Sequence, residues 1–191
     1  MITINYDQIL HDTGDAILNE EFEGFKEDYL VLHSLIRKYR PNSFLEVGTN
    51  CGVGTNIICN AIYKYYFDAK IYSLDLPTEL AHISLQHPIN EGKGDKVGEK
   101  CKLPFIQLRG DSASFDFSKY PCEGYFVDGE HDYYHPNVES TKIMALPETK
   151  IVIWHDADIK EVWKAITDAI KVSKFELFRV EGTRIAYALR K

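Results

Sequence analysis

A glycine-rich turn in the first third of the chain carries the residues best suited to hold a small ligand. The run LEVGTNCGVGT places Glu46 just before Gly48 and Gly52. Glycine lets the backbone turn sharply and approach a ligand closely, and Asn50 tolerates a positive φ. The helix expected after the turn presents unpaired N–H groups there. The spacing is not the GxGxxG of a dinucleotide site, because Asn50 replaces the second glycine.

Acidic residues recur at the ends of other expected strands. Asp75 ends KIYSLDLP, Asp111 follows FIQLRG, Asp128 follows GYFV, and Asp156 follows IVIWH. In parallel α/β sheets, ligands bind beyond the carboxyl ends of the strands. With Glu46, five strand ends carry an acid, which is hard to attribute to solvation alone. These positions therefore indicate one binding crevice at one edge of a sheet.

Strand and helix patterns alternate between these positions. Apolar residues at helical spacing predict a helix from Phe25 to Tyr39, one after Gly54, and one from Ile159 to Ile170. Another helix is expected from Ser114. Short apolar runs predict strands at SFLEV, KIYSLDLP, FIQLRG, GYFVDG and KIVIWHD.

The last segment, KFELFRVEGTRIAYALR, predicts two strands joined at a Glu181-Gly182 turn. Since a hairpin is antiparallel, one reversed strand is expected at or near the edge of a parallel sheet. The sequence thus predicts a single α/β domain over 1–191: a Rossmann-like, doubly wound, mostly parallel sheet of about seven strands with a C-terminal antiparallel hairpin. Residues 1–25 are expected as an N-terminal extension, and the polar stretch 78–103 as a lid or substrate loop.

Composition excludes several functional classes. The 191 residues carry a formal net charge of -7, which disfavours non-specific binding to nucleic acid. No apolar run approaches the roughly 20 residues needed to cross a bilayer, and the first residues lack signal-peptide features. The four cysteines show no CxxC pairing and are typical of reduced thiols. We therefore expect a soluble, cytoplasmic protein without membrane contact, and the sequence leaves homo-oligomer formation open.

The order of these motifs resembles class I methyltransferases that use S-adenosylmethionine (SAM). FLEVGTNCGVGT is similar to their first motif, with its acidic-x-Gly-x-x-x-Gly core at Glu46, Gly48 and Gly52. SLDLP, GDSAS and YFVDGEH stand where the second, third and fourth motifs follow. FVDGEHDYYHPNVES with IVIWHD further resembles the small O-methyltransferase-like group that has a DGxH signature after strand four. The resemblance extends over about residues 26–191.

The resemblance implies SAM as cofactor and assigns its contacts. Glu46 would hold a water or the methionine amino group, and Asp75 would accept the ribose hydroxyls in a bidentate manner. Asp111, with Ser112 nearby, would take the adenine amino group, and Asp128 would lie against the sulfonium. The implied cofactor-binding set is Glu46, Gly48, Thr49, Asn50, Gly52, Asp75, Asp111, Ser112 and Asp128. Turn or helix-cap roles for Asp75 and Asp111 stay open.

Methyl transfer to a hydroxyl needs a group that removes the acceptor proton. His131 follows Asp128 by three residues, so both can face one cleft, and the pKa of histidine lies near working pH. The catalytic candidates are therefore His131 and Asp128; the alternative for His131 is to orient the loop. The acceptor implied by the resemblance is a small hydroxylated molecule or a sugar.

Some related O-methyltransferases bind a divalent ion, which implies a metal site formed by Asp128, His155 and Asp156. Two carboxylates and a histidine suit Mn²⁺, Fe²⁺ or Zn²⁺ better than Mg²⁺. The alternative is that His155 and Asp156 shape the acceptor pocket.

Two other functions are also compatible with the sequence. The same fold could serve as a non-catalytic SAM-binding or interaction domain, because fold does not imply function. IVIWHDAD also resembles the apolar strand and Asp-x-Asp of metal-dependent glycosyltransferases, in which Asp156 and Asp158 would hold a metal and a nucleotide-sugar. That reading leaves the glycine-rich turn unexplained.

Overall fold

The computed structural model describes residues 2–10, 25–66, 68–77 and 97–191. These parts contain eight strands and five α-helices. In chain order they are β1 (Ile2–Asn5), α1 (Tyr6–Ile9), α2 (Lys26–Tyr39), β2 (Ser43–Val47), α3 (Val53–Tyr63), β3 (Lys70–Asp75), β4 (Ile106–Arg109), β5 (Gly124–Val127), α4 (Tyr134–Ala145), β6 (Ile151–Trp154), α5 (Lys160–Lys171), β7 (Phe175–Glu181) and β8 (Ala186–Arg190).

All eight strands form one sheet in the order β1-β7-β8-β6-β5-β2-β3-β4. Every neighbouring pair is parallel except the two that involve β8. The expected α/β class with a mostly parallel sheet and a closing antiparallel hairpin is confirmed. The reversed strand β8 lies inside the sheet, between β6 and β7, so it is third from one edge.

The sequence pattern does not predict strand β1. Within the expected N-terminal extension, β1 pairs in parallel with β7 and becomes the edge of the sheet, with Ile2 opposite Phe178. Asn5 then begins α1 with a capping box, in which its side chain accepts from the backbone N–H of Asp7 and Gln8 bonds back to the Asn5 N–H. The sheet therefore has eight strands rather than about seven.

The helix expected from Ser114 is absent. A turn and a short 3-10 helix at Phe117–Lys119 take its place. Asp111 and Asp116 each accept the backbone N–H two residues ahead, which competes with helical bonding. Lys142 on α4 also binds two carbonyl oxygens of this segment.

The hairpin turn is longer than expected. Strand β7 runs through Glu181, and residues 182–185 connect it to β8. The backbone N–H of Val180 donates to the carbonyl of Ile185 at 3.1 Å, and Gly182 takes a φ of +79°. This longer turn places Arg184 at the edge of the sheet where β6 ends.

Helices cover both faces of the sheet and bury its central strands. Residues alternate along the strands, so Phe44 packs with α2 and α3 while the next residue, Leu45, packs on the side of α4 and α5. The turn at the end of β2 leads into α3, and the loop after β5 leads into α4. If β2 is counted as the first strand, the central order is 3-2-1-4-5. Successive strands are therefore added on one side of β2 up to β4 and on its other side from β5 onward. Ligands of such sheets bind at this switch point.

Residues 78–96 of the predicted lid lie outside the described residues, and only 97–103 of it are described. Residues 11–24 of the expected N-terminal extension also lie outside the described residues. None of the described helices has the length and apolar character of a membrane span.

Candidate functional site

The glycine-rich turn packs closely against the end of β5. Gly48, Asn50 and Gly52 have φ values of +96°, +46° and +94°, which glycine adopts freely and asparagine tolerates. A side chain at Gly48 would overlap the backbone carbonyl of Asp128. Gly48 also donates its N–H to the carbonyl of Leu74 at 2.8 Å. The turn at the end of β2 is thereby fixed at the switch point, with β3 on one side and β5 on the other.

Asp75 ties the end of β3 to the same turn. Its Oδ2 accepts the backbone N–H of Asn50 at 2.7 Å, and its Oδ1 accepts that of Leu76 at 2.7 Å. A carboxylate has about four acceptor positions, so this one retains capacity for two further donors. Asp75 can therefore both hold the backbone of the turn and accept the ribose hydroxyls.

Glu46 lies underneath the turn, only 1% exposed. Its carboxyl accepts hydrogen bonds from the Thr55 hydroxyl and, at 2.5 Å, from the Ser73 hydroxyl. Burial raises the pKa of Glu46 to about 8, against the effect of these two bonds. Thr49 continues the same network with its hydroxyl 2.6 Å from that of Ser73. The structure thus joins Glu46 and Thr49 in support of the turn.

Asp111 and Ser112 lie beyond β4, where Asp111 Oδ1 is 3.8 Å from His135 Nε2. The Ser112 hydroxyl donates to Glu139 on α4, whose other carboxyl oxygen, Oε2, is buried without a partner among the described residues. Burial raises the pKa of Glu139 to about 7. The sequence pattern did not select Glu139. The available signal is its helical spacing to Pro136 and Ile143, which places a glutamate on the buried face of α4.

A carboxylate–histidine cluster occupies the sheet edge beyond β5 and β6. It consists of Asp28, Asp128, His131, His155, Asp156 and Arg184. Four of these were expected from the sequence. Asp128, His155 and Asp156 form the metal site that the resemblance implies, and His131 is the catalytic candidate that follows Asp128 by three residues. The helix α2 supplies Asp28, and the hairpin turn supplies Arg184.

His155 is the centre of the cluster. Its Nδ1 lies 2.9 Å from Asp156 Oδ2 and 3.2 Å from Asp128 Oδ1, and its Nε2 lies 3.2 Å from Asp28 Oδ2. The Tyr29 ring stacks nearly parallel to the imidazole at 6.3 Å between centroids. Burial opposes the imidazolium charge, but the three carboxylates outweigh it and raise the pKa of His155 to about 11. His155 is therefore a cation at neutral pH.

Asp156 connects both histidines with Arg184. Its Oδ2 lies 2.9 Å from His131 Nε2, and its Oδ1 accepts from Arg184 Nη1 at 2.9 Å. Burial alone would raise the pKa of Asp156, yet the two histidines hold it well below its usual range. The hydrogen bond that Asp156 accepts from His131 in turn raises the pKa of His131.

Arg184 and Asp28 close the cluster, and neither was expected from the sequence. Arg184 donates its backbone N–H to Asp28 Oδ1 at 2.9 Å and its Nε to Oδ2 at 3.0 Å. Burial opposes ionisation of Asp28, but its bonds to His155 and Arg184 lower its pKa. With both histidines protonated, three carboxylates face three cations, so the buried charge is balanced.

The donor set of the cluster fits a divalent ion. One ligand atom each from Asp128, His155 and Asp156 lies within 4.8 Å of the others. A metal-bound histidine usually donates its second ring N–H to a carboxylate, and Asp28 stands at Nε2 in that position. An ion bound at Nδ1 of His155 would replace the proton held there. Asp158 is exposed and is not among the described residues that group with Asp156 as possible ligands of such an ion.

Solved structures of methyltransferases resemble this fold, although no protein-family model and no curated protein matches the sequence. The SAH-bound methyltransferase of Podospora anserina is 13% identical, with a TM-score of 0.59 over 90% of this chain and 81% of that one. The O-methyltransferase TomG from Streptomyces achromogenes, in complex with SAM, is 15% identical, with a TM-score of 0.56 over 93% and 83%.

A third structure, the N-methyltransferase NodS from Bradyrhizobium japonicum, is 13% identical, with a TM-score of 0.58 over 91% of this chain and 99% of that one. These likenesses show a shared fold. Because they include both O- and N-methyltransferases, they do not distinguish between acceptor atoms.

Proposed function

We propose that this protein binds SAM at the glycine-rich turn and transfers its methyl group to a hydroxyl of a small molecule. The main support for the proposal is the packing of the glycine-rich turn where β2 and β5 end side by side. There Gly48 packs on the Asp128 carbonyl, and Asp75 holds Asn50, at the switch point where such sheets bind ligands. Two methyltransferases of the same fold are described as SAH-bound and in complex with SAM, which supports this cofactor.

Each part of the crevice then has a role toward the cofactor. The backbone from Gly48 to Gly52 cradles the methionyl end, and the remaining acceptor positions of Asp75 take the ribose hydroxyls. Asp111 and Ser112 flank the adenine. Asp128 lies beside the sulfonium, whose positive charge a carboxylate stabilises.

Glu46 acts from beneath the turn. Its carboxyl collects the hydroxyls of Thr55 and Ser73, and a Cβ at Gly54 would meet it. We therefore assign Glu46 to positioning the turn. This differs from direct contact with the methionine amino group, because the carboxyl is buried below the backbone it supports.

His131 is the proposed general base. In its neutral form the proton on Nε2 stays directed at Asp156, 2.9 Å away, and the lone pair on Nδ1 accepts the proton of the acceptor hydroxyl. Asp156 orients the ring and increases its basicity, as the carboxylate of a catalytic triad does. Most of the remaining acceleration comes from alignment of the hydroxyl with the methyl group.

A divalent ion at Asp128, His155 and Asp156 is the second part of the proposal. When bound, such an ion supplies a Lewis acid that polarises an oxygen ligand. Asp28 fixes the His155 ring through Nε2, and Arg184 holds the other oxygen of Asp156. These two residues thus keep the donor atoms in place with or without the ion.

Formation of S-adenosylhomocysteine (SAH) is the direct test. The purified chain is incubated with SAM and a panel of small hydroxylated acceptors, with and without Mn²⁺, and SAH is measured by mass spectrometry. We expect acceptor-dependent SAH that His131→Gln strongly reduces, while His135→Gln retains it. A chain that binds SAM but forms no SAH with any acceptor would instead be a non-catalytic SAM-binding domain.

A further inference from the structure

Two cysteines face each other behind the glycine-rich turn. Cys59 lies on α3 and is fully buried, and Cys101 follows the turn at 97–100 and is partly exposed. Their sulfur atoms are 3.9 Å apart. Cys101 also lies 3.4 Å from the Leu103 carbonyl, and Cys59 lies 3.7 Å from that of Pro104. The two thiols are thus held together by neighbouring backbone on both sides.

The two thiols differ in acidity. The side-chain hydrogen bond shared with Cys59 lowers the pKa of Cys101 to about 7, against the effect of burial, and Lys102 adds to this. The same bond, together with burial, raises the pKa of Cys59. Near neutral pH a substantial fraction of Cys101 is therefore thiolate, while Cys59 keeps its proton. A low-pKa, accessible thiolate beside a second thiol is the arrangement of oxidant-sensitive cysteines.

The segment that carries Cys101 also supports the glycine-rich turn. The backbone N–H of Cys101 bonds to the carbonyl of Gly98 at 3.1 Å. Gly98 donates to the Asn50 carbonyl at 2.9 Å, and Lys100 donates to the Cys51 carbonyl at 2.8 Å. A Cβ at Gly52 would lie 2.8 Å from the Gly98 Cα, so the two backbones are in close contact.

We propose that Cys101 is a peroxide-sensitive modification site that closes a reversible disulfide with Cys59 and thereby weakens ligand binding at the glycine-rich turn. The first half of this inference depends only on the two thiols. The second half rests on the proposed binding of SAM at that turn.

The chemistry is balanced with a hydroperoxide as oxidant. The Cys101 thiolate attacks one peroxide oxygen, the O–O bond breaks, and Cys101 becomes a sulfenic acid while hydroxide leaves. The Cys59 sulfur then attacks the Cys101 sulfur, the S–O bond breaks, and water leaves with the Cys59 proton. Overall, two thiols and hydrogen peroxide give one disulfide and two waters. A small dithiol reverses the reaction by thiol–disulfide exchange.

The bond would displace the segment at 98–101. A disulfide has an S–S distance of about 2.05 Å, so the two sulfurs must approach by roughly 1.9 Å from their present 3.9 Å. Cys59 is fully buried on α3, so we expect Cys101 and its segment to account for most of the movement. We further expect the bonds from Gly98 and Lys100 to the turn to lengthen. Loss of one such bond corresponds to about a five- to tenfold weaker binding.

The test combines disulfide mapping with calorimetry on the full chain. The protein is treated with hydrogen peroxide, digested without reduction, and analysed by mass spectrometry. We expect one cross-link between the peptides of Cys59 and Cys101, reversed by dithiothreitol. Cys59→Ser should instead leave a sulfenic acid at Cys101 that a 1,3-diketone traps, and Cys122→Ser should retain the cross-link. The oxidised wild type should bind SAM five- to tenfold more weakly than the reduced protein.

Each outcome decides one half of the inference. Absence of the Cys59–Cys101 cross-link in the wild type, or a bond to another cysteine, would overturn the modification site. A mapped cross-link with unchanged SAM affinity would overturn the coupling to the turn. If neither form binds SAM while the cross-link is present, the proposed cofactor fails and the thiol chemistry stands.

Discussion

His131 and Asp156 form a direct ion pair across the end of the sheet, with Nε2 of the histidine 2.9 Å from Oδ2 of the aspartate. The two residues come from the loops after β5 and β6. The pair fixes which ring nitrogen carries the proton when His131 is neutral. It therefore aims Nδ1 of the ring away from Asp156 and makes His131 the candidate base.

His131→Gln should lower kcat by about 10²- to 10⁴-fold and leave the affinity for SAM nearly unchanged, because a general base acts in the transition state. Steady-state kinetics and calorimetry measure the two quantities separately. His135→Gln is the matched control for the base role. His135 pairs with Asp132 at 2.9 Å and lies 3.8 Å from Asp111, on the proposed adenine side, and not against Asp156, so kcat should be retained even where SAM affinity changes. An equal loss of SAM affinity in His131→Gln would make His131 a cofactor-positioning residue.

The pH profile tests the same pair. A base works in its neutral form, so activity rises as pH passes its pKa. Since Asp156 raises the pKa of His131, the rise should occur above the ordinary value of about 6.5. In Asp156→Asn the carboxylate is lost, and any residual activity should rise at lower pH than in the wild type. A rise at the same pH in both proteins would contradict the coupling.

His155 should make the stability of the fold depend on pH. Its pKa is about 11 in the folded protein and about 6.5 in the unfolded chain. The stabilisation is therefore fully present below about pH 6.5 and is lost as pH rises through 11. His155→Gln should lower the free energy of unfolding by about 3 kcal/mol or more at pH 6, because buried carboxylates lose their cation. Urea unfolding between pH 6 and 10 should show this difference shrinking; a constant difference would argue against a buried imidazolium.

Two glycines with positive φ should respond differently to alanine. Gly48→Ala places a Cβ about where the Asp128 carbonyl lies, so we expect a loss of about 3 kcal/mol or more and loss of SAM binding. Gly182→Ala is the control: its φ is +79°, but no atom lies within 4 Å of the added Cβ. Only the backbone strain of about 1–2 kcal/mol should remain there. Equal destabilisation would mean that the turn is not packed against β5.

A metal at the cluster should depend on Asp156 and on pH. Elemental analysis after incubation with Mn²⁺ or Zn²⁺ should find about one ion per chain, and Asp156→Ala should remove it. Asp158→Ala should retain it, because that side chain is exposed. Since the ion replaces a proton on His155, its affinity should rise with pH. Full methyl transfer in excess chelator would leave these residues as acceptor-pocket walls.

The glycine-rich turn and the acids at strand ends could be predicted because their physical requirements are local. Gly48 and Gly52 adopt backbone angles that few other residues accept, and alternating strands and helices bring strand ends to one edge. The fold class followed from the same alternation. The placement of Asp75 beside Asn50 is a consequence of parallel pairing between β2 and β3.

The rest could not be predicted because it depends on long-range contacts. Asp28 and Arg184 are 156 positions apart, and each alone reads as an ordinary surface residue of a helix and a turn. Strand β1 is only four residues long and largely exposed, so it carries no apolar alternation. The helix expected from Ser114 does not form because side-chain bonds of Asp111 and Asp116 compete with a weak helical pattern.

Calorimetric titration of the chain with SAM, SAH and NAD⁺ tests whether the glycine-rich turn binds SAM. We expect binding of both SAM compounds and none of NAD⁺, because the turn lacks the dinucleotide glycine spacing. Asp75→Ala should weaken SAM binding by about 1–3 kcal/mol, since a charged acceptor of the ribose hydroxyls is lost. Asp116→Ala, which removes an exposed acid bonded to Ser118, should bind as the wild type does. Tight binding of NAD⁺ with no response to SAM or SAH would contradict the account.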